Sequence, residues 1–218
     1  ELLYNFEKDK YDKKNNENIK NVNLKNFFDF KYKYITPEHP SLLKKNSDNN
    51  YNIVSINGKC ENYKDEKIEI KKLSSQEYND FLNNKTIEKN DHFINLNSLF
   101  LNSGFKIIIK KNKNIKIKIS NIVSDDNLTI FQKNYIICEE GSIVNLIEEY
   151  ENKNNSMSNI VSVIKLEKDS FLNHNILQDN SSNHNLINTS HSSCKKRSVY
   201  KQRVYNFSES YVRNFHFS

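Results

Sequence analysis

The chain has 218 residues, 36% hydrophobic and 28% charged, with a formal net charge of +6. Lysine is spread along the whole length among 27 acidic residues, and no aromatic-basic RNA-binding motif occurs, so the charge reads as a solvated surface and argues against a nucleic-acid interface. Three cysteines (Cys60, Cys138, Cys194) without CxxC spacing read as free thiols and exclude a disulfide framework. No apolar run approaches the length of a membrane span.

Asparagine and lysine dominate, which reads as the drift of an AT-rich genome. With three glycines and two prolines, most turns must use Asn, Asp and Ser. Residues 1–26 are polar with scattered Leu, Tyr and Phe, and predict a weakly helical lead-in. Residues 26–35 (NFFDFKYKYI) are aromatic and need a packing partner, after which Pro37 and Pro40 force extended backbone. Residues 46–50 (NSDNN) read as a loop, and residues 51–56 (YNIVSI) as a strand meeting the hairpin dipeptide Asn57-Gly58, with residues 59–63 returning. Residues 67–73 (KIEIKKL) predict a further strand. Ser74 and Glu77 form a capping box that opens a short helix to about Asn83. Residues 91–102 predict a second helix with Phe93, Leu96 and Phe100 on one side. These readings divide the chain into a partly helical lead-in (1–50), a small mixed α/β domain (51–103) and a solenoid (104–218).

The solenoid expectation rests on a repeat. KNKNIKIKI, EEGSIVNLI, EKDSFLNHN and KKRSVYKQR begin at residues 111, 139, 167 and 195, a constant step of 28. Ser142, Ser170 and Ser198 fall in register, as do Ile143, Phe171 and Val199. Runs such as IKIKI (115–119) are short, β-branched and alternating, as strands require. A fixed period of this size is the signature of units that bury apolar faces only by stacking on their neighbours. The expectation is a mainly β fold, a solenoid of about four coils, with Phe171 in its dry interior.

Several segments then resemble one family in order. Residues 55–59 (SINGK) and 96–105 (LNSLFLNSGF) resemble its hairpin turn and the helix feeding its solenoid. Residues 134–150 (NYIICEEGSIVNLIEEY) and 159–178 (NIVSVIKLEKDSFLNHNILQ) resemble its repeat pattern, and residues 211–217 (YVRNFHF) sit where members carry a Gly-rich turn, an Arg and a polar residue. The family is that of the SufB/SufD iron–sulfur cluster assembly scaffolds. The resemblance spans residues 51–218 and is closer to SufD, because no cysteine follows NLIEEY. It departs at Ser103, where members have Asp, and at the repeat serines, where members have Ala.

The resemblance implies a right-handed parallel β-helix and a non-enzymatic role in a SufB–SufC–SufD-type complex. The partners it implies are a SufB-like paralogue along the β-helix and a SufC-like ABC ATPase, with an iron–sulfur cluster belonging to the full complex. The family's interface Cys/His ligands lie in later coils, so none is carried over to a residue here. Together with the composition it points to a plastid, the apicoplast stroma. The chain begins without Met and stops within the repeat pattern, which reads as a fragment. Its end at residues 211–218, with Tyr211, Phe215 and Phe217, is expected to self-associate.

No catalytic, cofactor or metal residue is assigned. His191-x-x-Cys194, with His174 and His184 nearby, has ligand residue types, yet Cys194 shares a coil position with Cys138 and Leu166 and reads as packing. Cys60 reads as a plain thiol. Glu148 and Glu149, near Glu151, look like paired carboxylates, but adjacent strand residues point to opposite faces. The Asn-x-Ser/Thr triplets at Asn127, Asn154, Asn188 and Asn206 follow from asparagine abundance. A polysaccharide-acting β-helix enzyme would need one acidic solenoid face, and no coil position is acidic in all four copies. A purely structural interaction solenoid has the same composition as a scaffold and differs only in its partners.

Overall fold

The computed structural model describes residues 42–47, 49–74, 76–77 and 91–218. The lead-in, the aromatic segment at 26–35 with the prolines after it, and the first helix beyond Glu77 lie outside the described residues. In order the chain forms β1 (Leu42–Ser47), β2 (Asn50–Ile56), β3 (Tyr63–Lys64), β4 (Ile68–Lys72), α1 (His92–Leu99), β5 (Ser103–Ile109), β6 (Asn114–Ile122), β7 (Thr129–Cys138), β8 (Ile143–Tyr150), β9 (Ser156–Leu166), β10 (Phe171–Gln178), β11 (His184–Cys194), β12 (Val199–Asn206) and β13 (Val212–Phe217).

Among the described residues two sheets hold all the strands. The first runs β1-β2-β6-β8-β10-β12 and the second β13-β11-β9-β7-β5-β4-β3. Pairing is parallel from β2 through β12 and from β5 through β13. Each coil therefore gives one strand to each sheet, and the repeat closes into a β-solenoid of about four turns. Antiparallel ribbons cover one end: β1 lies on β2, and β4 with β3 lies on β5. There Tyr51 and Tyr63 donate their hydroxyls to Asp65 at 2.8 and 3.0 Å.

Stacking puts like on like inside. Ile115, Val144, Leu172 and Tyr200 form one inward column, and Ile109, Cys138, Leu166 and Cys194 another. The turns between sheets also repeat. Asn112, Gly141, Asp169 and Arg197 all take the left-handed conformation, and Ser142, Ser170 and Ser198 each donate their amide back across the turn. At the opposite corner asparagines stack: Asn152 donates its backbone N–H to the Asn180 side chain at 3.1 Å, and Asn180 does the same to Ser208 at 3.0 Å. Asn152 and Asn180 are buried, so part of the asparagine content is structural.

Four local expectations change. The aligned repeat puts Ile143 over Ile115, whereas the pairing is Ile143 with Asn114 and Val144 with Ile115. The first coil is one residue longer, and the extra residue sits in the β6–β7 corner, where Asn127 is left-handed. Phe171 does stack between Ile143 and Val199, but that column faces outward; Ile143 is 44% exposed and Leu172 is 0%. Alternation makes the neighbour of every outward residue the buried one. The Asn57-Gly58 turn forms with both residues left-handed, yet its return is a single bridge, Ile56 to Lys59, and β2 instead pairs with β6. The second helix ends at Leu99 and leaves Phe100 exposed.

Helix α1 is capped by Asp91, whose carboxylate accepts the N–H groups of Phe93 and Ile94. The capping box expected at Ser74 and Glu77 also forms, with reciprocal bonds of 3.0 and 3.2 Å. The helix packs on the outside of β7 and β9, joining Ile94 to Val161 and Val163. Just before β5 straightens, Gly104 brings its backbone against β7: an added Cβ would lie 2.1 Å from the Lys133 carbonyl oxygen, at a φ of 148°.

The revised register is checked by a pair of truncations. Leu172→Ala should cost about 2–5 kcal/mol, and Phe171→Ala less than about half as much, because only Leu172 leaves an interior void. Denaturant melts giving equal losses would place the inward face on the wrong residues.

Candidate functional site

Polar residues interrupt the interior columns of the first sheet. The column Ile117, Leu146, His174, Gln202 and the column Ile119, Glu148, Ile176, Val204 each begin aliphatic. Glu148 and His174 are each 1% exposed and meet inside, Nε2 to Oε2, at 2.9 Å. The other ring nitrogen of His174 lies 3.0 Å from the Tyr200 hydroxyl. With a neutral ring protonated at Nε2, each contact joins one donor to one acceptor: imidazole to carboxylate, phenol to imidazole. Burial pushes the Tyr200 phenol far above its ordinary range, and the Glu148 carboxylate adds to this. Burial, then Glu148, does the same to Tyr150.

The chain of contacts continues across the lumen. The Tyr200 and His216 rings lie 5.5 Å apart, and His216 sits 2.9 and 3.2 Å from the hydroxyls of Ser190 and Ser192. Burial and the neighbouring His174 hold His216 below the usual histidine range. Gln178 and Asn214 exchange reciprocal amide bonds at 2.8 and 3.0 Å. The hydrogen bonds run from the Glu148 carboxylate through His174 to Tyr200, and a ring contact carries the cluster on to His216 and its two serines.

The other histidines and the cysteines go elsewhere. His191 and Cys194 fall on opposite faces of β11: His191 stacks on Phe217 outside, at 4.8 Å, and Cys194 is in register with Leu166 on the inward side yet is exposed, so it is not the packed residue expected. His184 contacts Ser156 at 2.7 Å near the start of β11. Cys138 and Cys60 are buried, and burial pushes both thiols up to about 12. Among the described residues no three His, Cys, Asp or Glu side chains gather to hold a metal ion. Glu148 and Glu149 diverge, Glu149 reaching out to Lys118 at 2.8 Å.

Sequence reasoning missed the pairing of Glu148 with His174 because it compared Glu148 with its neighbour. The signal was there across coils. Glu148 to His174 and His174 to Tyr200 are both separations of 26, one coil less two residues, which is a same-face diagonal contact.

Outside the second sheet a different buried pair forms. Arg213 of β13 donates to Asp91 at 2.9 Å, and its guanidinium lies over Phe93 at 4.5 Å and Phe215 at 3.6 Å. Phe215 and Phe217 are thus half-buried on the sheet's outer face. Lys133 is buried beneath α1, near Ser98 at 3.4 Å, and burial holds its amine well below the lysine range.

Fold and site together define a parallel β-solenoid with a hydrogen-bonded polar lumen. The family model described as SUF system FeS cluster assembly, SufBD core domain, matches residues 121–217, from the end of β6 through β13. That match supports the SufB/SufD family, whose members are scaffold-type components of iron–sulfur cluster assembly. No curated protein and no solved structure matches the chain.

The buried contact between Glu148 and His174 yields a double-mutant cycle. His174→Leu alone should cost about 3–5 kcal/mol by stranding Glu148, and adding Glu148→Leu should recover about 1–3 kcal/mol. A double variant as unstable as the sum of the singles would show that the two groups are independent.

The buried histidines set an acid limb of stability. Burial holds His184 at about 4, below the ordinary 6.5. It holds His191 at about 4 too, with His216 and Lys133 helping and Asp91 opposing. Between these values the unfolded chain binds protons that the folded one refuses, so stability is full above pH 6.5 and falls as pH drops toward 4. His184→Asn should remove up to about 1.4 kcal/mol per pH unit from that slope, read from melts across the window. An unchanged slope would mean His184 is protonated in the folded state.

Proposed function

We propose that this chain is a non-catalytic, SufD-like scaffold subunit of a SufB–SufC–SufD-type complex that assembles iron–sulfur clusters, with the cluster as cargo. The observation that carries this reading is the overlap of the SufBD core match, 121–217, with the coils that build the solenoid. A stack of rungs with fixed register suits a scaffold, because it holds surface groups at constant spacing. The SufD-like assignment is supported by residues 151–158 (ENKNNSMS), which contain no cysteine. In this reading the chain pairs with a SufB-like paralogue, and both engage a SufC-like ABC ATPase. Plastid stroma is the location proposed, on the Suf-type resemblance and the Asn/Lys-rich composition.

Co-expression of the full-length protein with SufB-like and SufC-like proteins of the same organism tests this. A co-eluting three-component complex that gains visible iron–sulfur absorption on reconstitution is expected. If the other two assemble and mature clusters while this protein elutes alone, the scaffold reading fails. A fluorescent fusion of the full-length protein found in cytosol or mitochondrion would overturn the location and leave the scaffold role standing.

A further inference from the structure

The two sheets differ in what lies outside them. Helix α1 packs on the second sheet, against β7 and β9, whereas the outer face of the first has large apolar groups open to solvent. Ile143, Ile147 and Val199 are 44%, 37% and 43% exposed, with half-buried Phe171 between Ile143 and Val199. Cations flank this strip on both sides, Lys116 and Lys118 on β6 and Lys201 and Arg203 on β12. The outer positions of β6, β8, β10 and β12 carry one carboxylate, Glu149, which is matched to Lys118 at 2.8 Å. Lys116, Lys201 and Arg203 have no carboxylate partner among the described residues.

This surplus contrasts with the turns at the solenoid's edge, where Lys111 pairs with Glu140, Lys195 with Glu167 and Arg197 with Asp169. It is also held in place. Lys201 lies over the Phe171 ring at 5.6 Å, and Arg203 donates to Asn173 at 2.7 Å, which donates to Asn145 at 3.2 Å. The two cationic borders are three strand spacings apart, about 14 Å.

We propose that this face is a docking surface for an acidic protein segment carrying aliphatic side chains. Its carboxylates would meet the two borders, and its apolar groups the Ile143–Phe171–Val199 strip. A second copy of this chain fits badly, because face-to-face pairing opposes like charges. The footprint, roughly 20 Å by 25 Å, is on the order of 500 Å2, below the ~800 Å2 per partner of a stable protein interface. That size suits a short segment. Residues 1–41 of this chain contain eight lysines and seven acidic residues and so lack the complementary charge. The proposal is independent of the family reading.

Fluorescence anisotropy on the full chain tests it with a labelled peptide of about twelve residues alternating Glu and Leu, and with its Lys-for-Glu counterpart. The acidic peptide should bind, more weakly as salt rises, and its counterpart should not. Lys201→Glu/Arg203→Glu and, separately, Lys116→Glu should each weaken binding about tenfold or more. Lys116 lies on an interior strand, so its variant separates face from edge. Ile143→Ser/Ile147→Ser should weaken binding without changing its salt dependence. Lys201→Gln/Arg203→Gln serves if charge reversal disturbs the fold by circular dichroism. No binding, or binding indifferent to Lys116→Glu, overturns the proposal. So does tighter binding of oligouridylate of about twenty nucleotides, lost in the same variants, which would make the face a nucleic-acid surface.

Discussion

The structure depends on rung-to-rung registration of parallel strands. Side chains alternate with a period of two, so each strand must meet its neighbour at one offset or its inward and outward sets exchange. An even coil length of 28 keeps that offset through the middle rungs, and the turns enforce it with the same left-handed position in every coil. The exceptions confirm where the constraint acts. The extra residue of the first coil falls in a corner, outside the ladder, and β11 meets β13 at an offset of 26, again even.

Registration also explains the polar interior. A column of stacked positions is most stable when all its members are aliphatic, and isoleucine packing dominates near β5 and β6. Where Glu148, His174 and Tyr200 replace aliphatics, each must find a partner on an adjacent rung, because water is excluded and unpaired groups are costly. The diagonal supplies it. The resulting network is specified by three strands at once, and a shift in any one of them separates its members.

Legibility in the sequence followed the chemistry of each strand. IKIKI announced itself because one face is isoleucine and the other lysine. The first halves of β7, β9 and β11 did not, since Gln132, Asn134, Asn159 and Thr189 are polar yet buried. Helix α1 covers the outer side of β7 and β9 there, and its Asn97 donates to the Gln132 and Asn159 carbonyls. Alternation of hydropathy cannot mark a strand buried on both sides. Asparagine abundance hid a second signal. Compositional drift and a stacked ladder look alike until the step from Asn152 to Asn180 is compared with the coil length. Glu148 was obscured differently, by being weighed against Glu149 in place of the residue one coil onward.

The contact between Asp91 and Arg213 joins residues 122 apart in the chain. Asp91 also caps α1, so the helix carries a carboxylate that becomes buried when it docks. Docking before Arg213 exists would bury that charge without its partner, at a penalty of several kcal/mol. A ribosome adding roughly 5–20 residues per second needs about 6–25 s to travel from one to the other. A helix held off by that penalty would leave the outer face of the second sheet uncovered for that interval. The helix is made early and would be placed late, and during synthesis the molecule would then present two open sheet faces in place of one.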